Sequence, residues 1–153
     1  MPAEKQPLTK DEFGEPPHRK FSYASIIGQL LYLAGHSRPD ITFAVHQAAR
    51  FSFCCKRSHE LTLIRIGRYL KATSKKGMRL NPSKELKVDC YPDADFAGLW
   101  PHEDDQNPTS VKSRTGFVIT LSDFPILWQS KLQTEIALST MEAEYAALSA
   151  SCR

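Results

Sequence analysis

The spacing of apolar positions changes once along the chain. In the first half it is helical. Ile26, Ile27, Leu30, Leu31 and Ala34 recur at three- and four-residue intervals and predict a helix over about 23–34, with Gly35 as its terminator. A second helix is predicted over about 39–51. Pro39 suits its first position, Asp40 faces the positive end of the dipole, and Ile41, Ala44, Val45 and Ala48 form its stripe. A third is predicted over about 58–72. Leu63, Ile66 and Leu70 share one face with Tyr69 beside it, while Arg65, Arg68, Lys71 and Lys75 fall on roughly the opposite face. Leu61 and Ile64 break that pattern and suggest burial on more than one side. Gly77 ends the region.

After Pro82 the period becomes two. Leu86, Val88 and Cys90 alternate with Lys87, Asp89 and Tyr91, as in a half-buried strand. Asp93 and Asp95 follow at its end, then a polar loop. Further strands are predicted over about 114–121 and 126–133, joined by a turn at Ser122, Asp123, Phe124 and Pro125. A helix is predicted over about 138–152, with Ser139 or Thr140 as N-cap and Glu142 or Glu144 in its first turn. The fold class is therefore α+β. A flexible, proline-punctuated linker (1–20) precedes a helical segment (21–80), and a unit of three antiparallel strands and one helix (84–153) follows.

A hydrophobic fraction of 41% and a charged fraction of 24% in 153 residues fit an ordinary water-soluble chain. The net charge of +3 is too small to argue for nucleic acid. Its distribution says more. Lys56, Arg57, Arg65, Arg68, Lys71, Lys75, Lys76 and Arg79 are opposed only by Glu60, a local basic block of the kind that tracks phosphates. A solvated helix face is the bland alternative. Cys54, Cys55, Cys90 and Cys152 form no C-x-x-C pair, so neither a zinc site nor a disulfide framework is expected. The first twenty residues lack the apolar stretch of a signal peptide, and no run is long enough to span a membrane. A reducing, intracellular compartment is expected.

Two acid pairs are candidates for chemistry: Asp93 and Asp95 at a strand end, Glu142 and Glu144 at a helix start. Carboxylates so placed can converge on hard cations such as Mg²⁺, although capping and solvation are the commoner uses of acids there. His102, Glu103, Asp104 and Asp105 are consecutive and fit no metal cage. Ser139 and His46 show no triad arrangement. Trp100 and Trp128 suit core or turn roles better than base stacking.

Five strings occur in order: YASIIGQLLYLAGHSRPDITFAVHQAARF, IGRYLKATSKKGMRL, YPDADFAG, KSRTGFVITL and WQSKLQTEIALSTMEAEYAALSA. Together they resemble the end of the polymerase region of copia-type LTR retrotransposon polyproteins, from the segment after the reverse transcriptase palm into the opening of RNase H. The resemblance covers about residues 23–153. It implies a thumb- or connection-like helical segment and an RNase H-like second half. It implies that Asp93, in YPDADFAG, and Glu144, in EYAAL, are catalytic metal-holding acids for Mg²⁺ or Mn²⁺. Asp95 has a weaker claim, and Glu142 reads as a first-turn dipole partner. Phe96 stands where the family often has Trp, and Met141 where it often has Thr.

The family also has a third catalytic Asp on a fourth strand and a further acid beyond it, both past Arg153. The expectation is thus a polyprotein fragment, ancestrally cleaving RNA in RNA–DNA hybrids but inactive alone. A decayed reading frame would look the same. The alternative is a non-catalytic module gripping a template–primer duplex through Arg65, Arg68, Lys71 and Lys75. With the fourth strand absent, the strand at 86–91 is expected to present an unpaired edge open to self-association.

Overall fold

The computed structural model describes residues 1–3, 7–18, 20–78, 86–100, 102 and 109–153. Arg79, Pro82, Glu103, Asp104 and Asp105 lie outside the described residues. The chain divides into two compact units, Met1–Gly77 and Met78–Arg153. The class is α+β: helices first, then a three-stranded antiparallel sheet and a closing helix.

In the first unit, α1 spans Tyr23–His36, a 3₁₀ turn spans Pro39–Ile41, α2 spans Thr42–Ala49 and α3 spans Arg57–Ala72. Ser22 caps α1, its side chain accepting the Ser25 N–H. Gly35 does not terminate this helix as expected. It lies inside, and the end comes two residues later, where the N–H groups of Ser37 and Arg38 both close on the Leu33 carbonyl. The core gathers most of the predicted stripes: Ile27, Leu30 and Ala34 from α1, Ile41 from the turn, Val45 and Ala48 from α2, Leu63 and Ile66 from α3, whereas Leu31, expected in the α1 stripe, is exposed. Each buried aliphatic side chain contributes on the order of 2 kcal/mol. Leu61 is exposed, so α3 buries one face only, against the expectation of more than one.

The expected flexible linker is tied down over much of its length. The Glu15 carbonyl accepts the Arg57 N–H at 3.0 Å. The Ser58 hydroxyl donates to Asp11 at 2.6 Å, and the His18 N–H donates to Glu60 at 2.9 Å. The reason lies at the start of α3, where no Ser, Thr, Asp or Asn caps the helix. Its first N–H groups need acceptors from elsewhere, and this strap supplies one. His59 supplies another, its Nδ1 accepting the Lys56 N–H at 2.9 Å.

In the second unit, β1 spans Val88–Asp95, β2 Arg114–Leu121, β3 Phe124–Leu132, and α4 Thr140–Ser151. The strand order is β1-β2-β3. Pro92 lies within β1, which an edge strand tolerates because its backbone need not donate on both sides. The β2–β3 turn is tighter than read from sequence. Leu121 pairs with Phe124 across two residues, so Phe124 and Pro125 belong to the strand. Ser122 and Asp123 both have positive φ, 49° and 67°, as the type I′ turn of a two-residue hairpin requires. The alternation in β1 also differs from expectation. Leu86 and Val88 are exposed, and so is Cys90. The half-buried positions of the strand are Asp89, Pro92 and Ala94.

Candidate carboxylate site and basic helix face

Helix α4 lies against β1 and β2. Ala143 and Ala147 are fully buried, and small side chains there let the helix approach the sheet closely. Gln133 fixes the approach: its Nε2 donates to the Thr115 hydroxyl at 3.1 Å and to the Ala143 carbonyl at 3.0 Å. Thr115 therefore points toward α4. Sequence gave no signal for this glutamine, because its role depends on what stands opposite it.

Asp93 is inside β1 rather than past its end, paired in register with Gly116. Strand alternation then directs Asp93 and Gly116 to the face opposite Thr115 and Phe117. Glu144 follows buried Ala143 by one position, about 100° around the helix, and is exposed. Both carboxylates are open to solvent, and neither takes a hydrogen bond or ion pair from another described residue. Their neighbours differ. The Asp95 carboxylate folds over Gly98 but is exposed and takes no hydrogen bond from a described residue. Glu142 accepts the Leu138 N–H at 2.7 Å while Ser139 accepts the Glu142 N–H at 3.1 Å, a reciprocal cap on α4. Exposed, oxygen-only donors suit a hard cation that keeps much of its water. Among the described residues, no three or more His, Cys, Asp and Glu side chains are grouped to hold a metal.

The basic residues belong to the first unit. Arg65, Arg68 and Lys71 are exposed along the outer side of α3, away from buried Leu63 and Ile66. Lys75 is exposed too, but it lies past the helix end in the following turn, so the predicted stripe is three residues on the helix plus one beyond it. Trp100 is exposed in a turn and Trp128 is half-buried in β3. None of the four cysteines forms a disulfide.

Two features had no legible sequence signal. The first is buried His59, stacked on Phe51 with ring centroids 4.3 Å apart. Its Nε2 lies 3.1 Å from the Thr9 carbonyl. With Nδ1 already accepting, the neutral Nε2–H tautomer satisfies both nitrogens. The second is buried Glu60, paired with Arg57 at 2.8 Å. Buried Tyr23 donates to the Ala48 carbonyl at 2.9 Å, and loss of solvent, with the nearby Cys55 and Cys54 thiols, pushes its phenol pKa up.

No helix among the described residues is long and apolar enough to cross a membrane. No protein-family model matches the chain, and no solved structure does. Among curated proteins, it is 38% identical over 123 residues to the retrovirus-related Pol polyprotein from transposon RE1 of Arabidopsis thaliana, covering 80% of this chain and 8% of the relative. It is 39% identical over 141 residues to the Pol polyprotein from transposon TNT 1-94 of Nicotiana tabacum, covering 92% and 10%. It is also 34% identical over 127 residues to secreted RxLR effector protein 161 of Plasmopara viticola, covering 83% and 84%. The chain thus spans about a tenth or less of the Pol polyproteins it matches. With identities of this size running through both units, the chain belongs to the family of retrovirus-related Pol polyproteins of copia-type transposons.

Proposed function

We propose that the second unit supplies part of the carboxylate set of an RNase H that cuts the RNA strand of RNA–DNA hybrids, and that the 153-residue chain does not cleave by itself. One observation carries this reading. Of the four acids in the two pairs, Glu142 is engaged in a helix cap, while Asp93 and Asp95 on β1 and Glu144 on α4 are exposed and take no hydrogen bond from a described residue. Asp93 lies on the sheet face away from α4, so Asp93 and Glu144 do not form one site within this unit. Mg²⁺ or Mn²⁺ bound to them in a completed centre would supply charge stabilisation at the scissile phosphate and an activated water. A two-metal centre needs more carboxylates than two, so these acids alone hold metal weakly. An intracellular, reducing setting belongs to the same reading.

Hybrid cleavage with Mg²⁺ or Mn²⁺ tests it, together with paramagnetic broadening by Mn²⁺. No cleavage, with broadening centred on Asp93 and Glu144, is expected. Robust cleavage abolished by Asp93→Asn would show that the chain holds a whole centre. Broadening elsewhere would remove both acids from the site.

A second reading is favoured by the exposure of Arg65, Arg68, Lys71 and Lys75. These side chains would grip the phosphates of a template–primer duplex. Affinity should then fall with salt, with a logarithmic slope of about −0.9 per phosphate contacted. Replacing all four with Gln should flatten that slope. Salt-independent binding, or binding unchanged by the replacement, removes the idea.

A further inference from the structure

Helix α4 has two apolar faces, and the sheet uses one. Ala143, Ala147 and Ser151 are buried. On the other side Leu138, Met141, Tyr145 and Leu148 are 87%, 63%, 65% and 47% exposed, and Cys152 is exposed beyond them. Met141, Tyr145 and Leu148 within α4 and Cys152 at its C-cap follow a four-three-four spacing, which is the seam spacing of paired helices, while Leu138 precedes the extended N-cap Ser139 and stands outside the helix. Scattered surface hydrophobics are ordinary, but a continuous stripe of this kind marks a contact surface.

We propose that this outer seam of α4 pairs, antiparallel, with the same seam of a second copy of the chain. The flanking charges select both partner and direction. Glu142 and Glu144 border the first half of the seam on opposite flanks, and Arg153 borders its far end on the Glu142 flank. An antiparallel pair sets Met141 opposite Cys152 and Tyr145 opposite Leu148, and brings Glu142 of each copy toward Arg153 of the other. A parallel pair would instead face the Glu142 flank with the Glu144 flank, acid against acid. Antiparallel packing also opposes the two helix dipoles favourably. The same carboxylates disfavour a lipid surface, which is met by helices with cationic flanks. From Met141 to Cys152 the seam is roughly 17 Å long, which places the contact at the small end of specific interfaces.

The inference does not rest on the hybrid-cleavage reading, since its readout is mass rather than activity. Sedimentation equilibrium of the full chain under reducing conditions, over a series reaching about 100 µM, should show a concentration-dependent dimer. Tyr145→Glu should weaken it at least about tenfold, with an unchanged far-UV spectrum. If that variant fails to fold, Met141→Lys serves in its place. Arg153→Glu should weaken the dimer. A chain that stays monomeric throughout overturns the proposal. So does a dimer indifferent to Tyr145→Glu, or one dissolved by Val88→Lys on the β1 edge instead, which would assign association to the sheet.

Discussion

The Tyr69 hydroxyl donates to Asp40 Oδ2 at 2.8 Å, joining the last turns of α3 to the 3₁₀ turn before α2. The same carboxylate takes two hydrogen bonds from Arg38, at 2.9 and 2.7 Å, and Arg38 also donates to the Thr73 hydroxyl at 2.7 Å. The Arg38 guanidinium lies 5.6 Å from the centre of the Tyr69 ring. Four residues scattered between positions 38 and 73 thus share one polar contact beside the core.

That contact sets a pH dependence. The Arg38 guanidinium, with help from Tyr69, holds the Asp40 carboxyl below its usual range. A depressed folded-state value means that the stabilisation is present above the unfolded-state value of about 3.9 and is lost as pH falls through the folded value. The pair is partly open to solvent, so Asp40→Asn should cost less than about 1 kcal/mol at neutral pH. Urea unfolding of both forms across pH 2–7 checks this: the gap should close at the acid end. A gap that widened on acidification would mean that Asp40 does not act through its charge.

His59 carries more. It is fully buried, stacks on Phe51, and joins α3 to the strap through the Thr9 carbonyl. His59→Ala removes the ring and leaves the Lys56 N–H and the Thr9 carbonyl without it, for a loss of about 2–4 kcal/mol. Limited proteolysis should then cut within residues 7–18 at denaturant concentrations that leave the parent intact. Unchanged cleavage would show that the strap is held without this side chain.

The hairpin turn can be improved. Ser122 and Asp123 adopt a left-handed backbone that most side chains disfavour. Ser122→Asn with Asp123→Gly gives the pair that type I′ turns prefer, and should raise stability by about 0.5–1 kcal/mol. A loss measured by thermal unfolding would contradict the turn assignment.

Gly98 sits under the Asp95 carboxylate, the exposed end of a flexible side chain. Gly98→Ala should therefore cost less than about 1 kcal/mol, because the carboxylate can swing aside. Thermal unfolding checks this, and a larger loss would show that Asp95 is held in place.

Asp93→Asn and Glu144→Gln should leave the unfolding midpoint where it was, because neither acid takes a hydrogen bond from a described residue. A marked loss with either would make that acid structural rather than chemical.

Element types, their order and the family were legible in the residues alone. Helical and strand periods are local properties, and the core stripes on Ile27, Leu30, Val45, Leu63 and Ile66 follow directly from them. Sequence also singled out Asp93 and Glu144, through motif strings rather than geometry. Tertiary structure decided what periodicity cannot express. The strap had no apolar period to announce it, since its hold on α3 comes from backbone groups and from polar side chains such as Asp11 and Ser58. Val88 and Cys90 alternate like core residues, yet burial depends on which neighbour covers a face, and α4 shields Pro92 and Ala94 further along the strand more than these two. Likewise only the completed cap showed that Glu142 is engaged at the start of α4. A carboxylate's availability is set by the donors that surround it, and those arrive from distant parts of the chain.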